Sequence, residues 1–457
     1  MKKYILSLIS LFTLSGLTLS AQTVASAVAP TVNAGDTAWM IVATSFVLLM
    51  SIPGLALFYG GLVRRKNVLN IFMQVFFLVA VISVEWVVVG YSNAFGTNSI
   101  EALKPYIGGF DWAFLNNINA SDLSPYFISH SQTGLDGNPI GTIPHIVFIM
   151  FQCMFAVITP ALIIGAFAER INFKGFLVFS VLWSLFVYNP VAHWVWAADG
   201  WLFKLGALDF AGGTVVHVNA GIAAIVTAIM LGQRRDYKRH AIPAHNITYV
   251  VMGAGLLWVG WFGFNAGSGL AADGLAGSAL MVTHVAAAAA ALAWALMDWI
   301  IDKRPTVVGI STGAVAGLVA ITPAAGFVGV PGALIIGVVV SIICFVMVAY
   351  VKPKLGYDDS LDAFGVHGIG GIIGAILTGV LATPAIQSAY SGAAYGNMHQ
   401  LWIQLLAVGA TIVFSGIGTY ILFKLTDKLV GIRVSDKHEA IGLDETQHGE
   451  NAYNNFD

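Results

Sequence analysis

Charge is scarce in this sequence. Charged residues make up 10% of 457 positions, 21 basic and 23 acidic, while hydrophobic residues make up 58%. Soluble domains carry about 25% charged residues, so a chain of this length could not coat itself for water. The same hydrophobicity excludes intrinsic disorder. A formal net charge of -2 offers no basic surface to a nucleic-acid partner. Cysteine is scarcer still. Cys153 and Cys344 lie in apolar runs with no second ligand at metal spacing, which argues against both a disulfide framework and a metal centre. There is no activated-nucleophile motif, so nothing points to an enzyme or to a bound cofactor. What remains is an all-α polytopic membrane protein. Glycine, by contrast, is abundant at 50 residues, and small residues let membrane helices pack closely.

The chain opens as a secretory signal peptide does. Lys2 and Lys3 precede an apolar stretch, and Ser20-Ala21-Gln22 and Ala25-Ser26-Ala27 follow; residues 1–27 read as a signal peptide cleaved after Ala21 or after Ala27, the alternative being an uncleaved first helix. Beyond it, a hydrocarbon core of ~30 Å asks for about 20 apolar residues per helix. Eleven segments qualify, near 38–62, 68–94, 143–168, 173–197, 213–232, 245–268, 274–300, 306–323, 327–350, 363–385 and 398–425. They define a transmembrane domain over 28–425 and a tail over 426–457. An odd number of spans with the amino end outside puts the tail in the cytoplasm. Basic residues test this independently: of the 21, Lys2 and Lys3 lie in the signal peptide, 17 fall in the proposed inner loops and tail, and only Lys104 and Lys204 fall outside. That is the expected bias toward the cytoplasmic side.

The spans also repeat. Ile158-Thr159-Pro160-Ala161 in the third recurs as Ile321-Thr322-Pro323-Ala324 in the eighth, and Val216-His217 with Gly221-Ile222 in the fifth recurs as Val366-His367 with Gly371-Ile372 in the tenth. An offset of five spans makes the second unit inverted, a five-plus-five architecture typical of transporters and channels. Ionisable groups in lipid are costly and mark pathways. Glu85, His217, His284 and His367 lie within spans, Asp209 just before one, and Glu169 and Asp298 at cytoplasmic helix ends, where solvation is expected. As repeat mates, His217 and His367 would face each other across one central path. Phe151, Phe155, Trp196, Trp261, Phe262 and Phe264 form an aromatic constellation, with Ser268 the small polar group beside it. Such a cage suits a small cation.

These stretches closely resemble the Amt/Mep/Rh family of ammonium transporters, on the Amt side. The resemblance rests on Asp209-Phe-Ala-Gly-Gly-Thr-Val-Val-His217-Val-Asn-Ala-Gly221, Gly260-Trp-Phe-Gly-Phe-Asn-Ala-Gly-Ser268, Phe364-Gly-Val-His-Gly368 and Ile163 through Arg170, and runs from about residue 36 to Tyr453. It implies that Trp196, Phe155 and Ser268 recruit NH4+ at the outer face, with Asp209 shaping that site from behind. It further implies that Phe155 and Phe264 stack to close the pore mouth, and that His217 and His367 line an apolar pore. A homotrimer in the inner (plasma) membrane, regulated by a PII signalling protein on its cytoplasmic side, would follow. On this reading NH4+ loses its proton near Asp209 or the histidines and NH3 crosses, since an apolar pore rejects bare ions; whether the proton follows separately stays open. The alternative is an ammonium sensor acting through a cytoplasmic partner, although family sensors carry an appended signalling domain and the tail here is short. One departure stands out. The outer loop over 95–142 is long for the family and acidic, with Glu101, Asp111, Asp122 and Asp136 against Lys104.

Overall fold

The computed structural model describes residues 30–134 and 136–453; the expected signal peptide and its cleavage sites lie outside them. Among the described residues, ten helices are long and apolar enough to span a membrane. They are α1 (Ala34–Leu62), α2 (Arg65–Phe95), α3 (His145–Phe167), α4 (Phe173–Leu205), α5 (Gly213–Leu231), α6 (Ile247–Gly267), α7 (Gly274–Asp302), α9 (Val330–Leu355), α10 (Phe364–Leu381) and α11 (Met398–Val430). A shorter apolar helix, α8 (Val307–Ile321), makes the eleventh. Their starts carry the capping chemistry that spares the first amides from burial without partners. Asn33, Asn246, Asp273, Thr306 and Asn397 each accept a backbone N–H from the first turn of the helix that follows. The last helix runs to Val430, five residues past the span boundary expected at 425.

Glycines set the closest helix contacts. Side chains added at Gly260, Gly263 and Gly267 of α6 would strike Met50, Ala43 and Phe46 of α1 or Phe151 of α3. Large apolar side chains such as Phe76, Val84, Trp299, Ile300 and Trp402 are exposed on the outer circumference. In water such a surface would aggregate; toward acyl chains it costs nothing. The loop over 95–142 is not loose. It holds a two-stranded hairpin, β1 (Gln132–Thr133) with β2 (Pro139–Ile140), and Tyr126 bonds the Phe95 carbonyl while stacking on Phe148.

The basic loops converge on one face, and here an expectation fails. Glu169 is fully buried, not solvated. It accepts from the Arg64 Nε at 2.8 Å and pairs with Arg234 at 3.3 Å, while Arg234 holds Asp358 at 2.8 Å. Burial by itself would raise the Glu169 carboxyl, but Arg234 and Arg64 outweigh it and hold it below the ordinary carboxylate range. Asp298 is also buried, because Thr306 donates to it from both its amide and its hydroxyl across the α7–α8 turn. The tail folds onto this face. A short helix, α12 (Asp436–Ile441), places Glu439 against the Arg235 amide and Arg433, and Asp444 accepts the Asn70 amide of α2 at 2.8 Å.

Candidate functional site

His217 and His367 each sit in a single π-helical turn that opens a helix, Gly213–Val218 for α5 and Phe364–Gly368 for α10. Wide turns of this kind recur at functional sites. Each turn is preceded by an aspartate eight residues before its histidine. Asp209 accepts the amides of Gly212 (2.9 Å), Gly213 (2.5 Å), Thr214 (2.8 Å) and Val215 (3.2 Å), and the Thr214 hydroxyl. Asp359 accepts those of Ala363 (3.1 Å) and Phe364 (2.8 Å). A carboxylate so placed satisfies the orphan donors of a helix start and suits its dipole. The two helices then cross in backbone contact. A Cβ at Gly371 would lie 2.9 Å from the His217 Cβ, and one at Gly221 would fall on Gly368.

This crossing brings the two imidazoles to a centroid distance of 5.4 Å, nearly parallel at 14°. Both are buried. Neither nitrogen of His217, nor the Nδ1 of His367, has a hydrogen-bond partner among the described residues. Buried polar atoms are ordinarily paired, so these three are available to something not of the protein. They line a small cavity with Ile158, Leu162, Val216, Leu257 and Val315, whose free volume is about 10 Å³. That is close to the space one water-sized molecule needs. Trp261 stacks on His217 at 5.5 Å and is itself fixed by donating to the Thr322 hydroxyl at 2.8 Å.

At one end of the cavity stand stacked rings, Phe264 among its lining. Phe155 and Phe264 stack at 4.2 Å and 27°, and Phe264 lies 6.2 Å from His217. Trp196 meets Phe155 edge-on at 5.7 Å. Its position follows from the chain: α4 breaks after Trp196, and the indole N–H donates to the Asp209 carbonyl at 2.9 Å. Asp209 therefore anchors Trp196 by its backbone and the His217 helix by its side chain. Ser268 ends α6, with its hydroxyl donating to the Phe264 carbonyl at 2.8 Å. Its oxygen is left with acceptor capacity only.

The structure thus gathers Phe155, Trp196, Asp209, His217, Phe264, Ser268 and His367 into one column. His284 and Phe262 stand apart, His284 packing 5.4 Å from Trp258 on the periphery. Glu85 is buried between helices, bonded to Asn189 at 3.0 Å and Ser184 at 3.3 Å. Sequence reasoning left Trp261 among the general aromatics and passed over Asp359. The signal for Asp359 was present, since Asp-to-His spacing is the same in both halves.

Fold and site together define a polytopic membrane protein with a small, histidine-lined apolar cavity among its helices. A model of the Ammonium Transporter Family matches residues 38–453. The chain is 49% identical over 422 residues to the ammonium transporter of Bacillus subtilis, covering 92% of this chain and 98% of that one. It is 43% identical over 420 residues to ammonium transporter Amt1 of Archaeoglobus fulgidus, covering 92% and 99%. Among solved structures it superposes on Mep2 of Saccharomyces cerevisiae with a TM-score of 0.82 at 35% identity, covering 93% of each chain. A structure described as a sensor Amt protein superposes with a TM-score of 0.79 at 29% identity, covering 91% of this chain and 98% of that one. The chain belongs to the ammonium transporter family and is a multi-pass membrane protein, the plasma membrane being the usual location.

Proposed function

We propose that the chain moves ammonium inward by recruiting NH4+ and conducting NH3. The carrying observation is the stacked Phe155–Phe264 pair directly above two buried imidazoles with free nitrogens. NH4+ and K+ are alike in size and charge, so selection must rest on hydrogen bonding and on the proton. Ser268 is a pure acceptor toward the mouth, and the rings of Trp196 and Phe155 supply cation–π attraction, roughly 0.5–2 kcal/mol. Below the rings the passage is apolar, and a bare ion there would meet a large desolvation cost. Neutral NH3 would not, and the free imidazole nitrogens offer it the hydrogen bonds it lacks. Deprotonation belongs above or at the histidines. The Asp209 oxygens are already filled by five donors, which favours a shaping role for Asp209 and the histidines as proton acceptors.

In this reading the mouth is the outer face, and the basic face with the tail is cytoplasmic. The matched Asp caps and reciprocal glycine contacts of α5 and α10 support an inverted five-plus-five repeat. The exposed apolar circumference supports burial against lipid or sister subunits in a homotrimer, and the folded tail offers a cytoplasmic surface on which a PII-type protein could act. The reading is of a transporter, not an enzyme. A sensor role through such a partner is the second reading, favoured by the structural likeness to the sensor Amt protein. Methylammonium uptake into liposomes decides the first. His217→Ala and Trp196→Ala are expected to reduce it at least tenfold and severalfold, respectively; unchanged uptake in both would sink the pore assignment. Current on an ammonium pulse tests whether the proton travels too.

A further inference from the structure

The long loop between α2 and α3 has no part in the reading above, yet it converges with α1 and α7 on one buried carboxylate. Asp36 stands in the first turn of α1 with its side chain 3% exposed. Its Oδ1 accepts the backbone amide of Ala272 at 2.8 Å. Its Oδ2 accepts the Thr142 hydroxyl at 2.6 Å and faces the His130 Nδ1 at 3.0 Å. The other ring nitrogen of His130 lies 3.6 Å from Asp273, which caps α7. Three separate parts of the chain thus meet at Asp36.

Ala272 lies in the connector between α6 and α7, four residues after Ser268. The near half of that connector is tied back to α6: the amides of Ser268, Gly269 and Leu270 bond the carbonyls of Asn265, Ala266 and Gly267. Leu270 then turns into the left-handed region at φ 58°, a conformation a leucine holds only where its surroundings impose it. Beyond it, the Asp36–Ala272 bond fixes the far half. A strained residue held between two anchors sets the path of the whole connector, and with it the end of α6 that presents Ser268.

We propose that Asp36 is a positioning residue for the mouth of the pore, holding the Ser268 connector through the Ala272 amide while Thr142 and His130 tie the long loop to the same carboxylate. The proposal rests on the reading of Ser268 as an acceptor for NH4+. It predicts an effect on affinity without one on conduction, because Asp36 touches neither the stacked rings nor the histidines.

Concentration-dependent methylammonium uptake in proteoliposomes tests it, with hydrogen exchange of the 267–273 amides measured on the same preparations. Asp36→Ala is expected to raise KM about three- to tenfold, the span of one ordinary hydrogen bond passed on through the connector, with Vmax kept within about twofold. Asp36→Asn keeps an acceptor for Ala272 and is expected to fall between it and the wild type. Exchange in 267–273 is expected to accelerate in the same order. Ser268→Ala is the companion variant. A raised KM for Ser268→Ala with unchanged KM and exchange in Asp36→Ala overturns the positioning role. An unchanged KM for Ser268→Ala overturns the reading beneath it. Should Asp36→Ala not reach the membrane, the isosteric Asp36→Asn carries the same comparison.

Discussion

Gly221 of α5 and Gly368 of α10 meet backbone to backbone: a side chain on Gly221 would fall on the Gly368 Cα. The imidazole spacing depends on that contact, because each histidine stands within four residues of the crossing.

Gly221→Ala is therefore expected to part the two helices. Overpacking of this kind costs typically 1–3 kcal/mol, and here the strain displaces the pair that lines the passage. Uptake should fall more than tenfold while the protein still reaches the membrane. A crystal structure of the variant with an unchanged imidazole separation would contradict this.

Ser268→Ala removes the acceptor at the mouth and the bond to the Phe264 carbonyl. One hydrogen bond is worth about 0.5–1.5 kcal/mol, so KM for methylammonium should rise by roughly two- to tenfold. Competition assays with K+ check the selectivity side, since the variant should discriminate less.

The buried charge cluster predicts a pH effect on stability. Glu169 and Asp358 are each held below the ordinary carboxylate range: burial pushes them up, but the pull of Arg234, joined by Arg64 at Glu169 and by Arg170 at Asp358, prevails. A carboxylate with a depressed folded pKa stabilises above its unfolded value and loses that contribution as pH falls through the folded one. Melting of the detergent-purified protein should thus be flat near neutrality and decline on acidification below about pH 4. Glu169→Gln removes the carboxylate that Arg64 and Arg234 share, while Arg64 keeps Asp236 and Arg234 keeps Asp358; it should lower stability by about 1–3 kcal/mol and flatten the acid limb.

Asp444 caps α2 from the far end of the chain, accepting the Asn70 amide at 2.8 Å. Loss of a cap costs about 0.5–2 kcal/mol. Asp444→Ala should loosen the tail, seen as faster proteolysis between Val430 and Tyr453, with the histidine column untouched.

The eleven helices were legible because lipid imposes both length and composition, and the basic loops ordered them. His217 and His367 were legible because an imidazole in hydrocarbon is rare and two at matched positions rarer. The burial of Glu169 was not. Its partners Arg64 and Arg234 lie 105 and 65 residues away, and nothing local to a helix end distinguishes a solvated carboxylate from a paired one. Trp261 was ambiguous for a related reason: an aromatic near a membrane surface reads as an interfacial anchor until its stacking on His217 is seen. The loop over 95–142 read as an acidic appendage, and its tether at Asp36 comes from threonine and histidine side chains that carry no charge signal.

The salt-bridged cluster of the basic face also bears on how the chain is kept in place after synthesis. Arginines that bias insertion are commonly left in water once a helix has settled, free to reverse the choice. Here Arg64, Arg170 and Arg234 join the ends of helices far apart in sequence. Turning any one hairpin over would strand a carboxylate without its cation and carry a guanidinium through hydrocarbon. Orientation, chosen early by weak preferences, is sealed late by folding, so a variant that weakens the cluster is expected to yield chains of mixed sidedness as well as less stable ones.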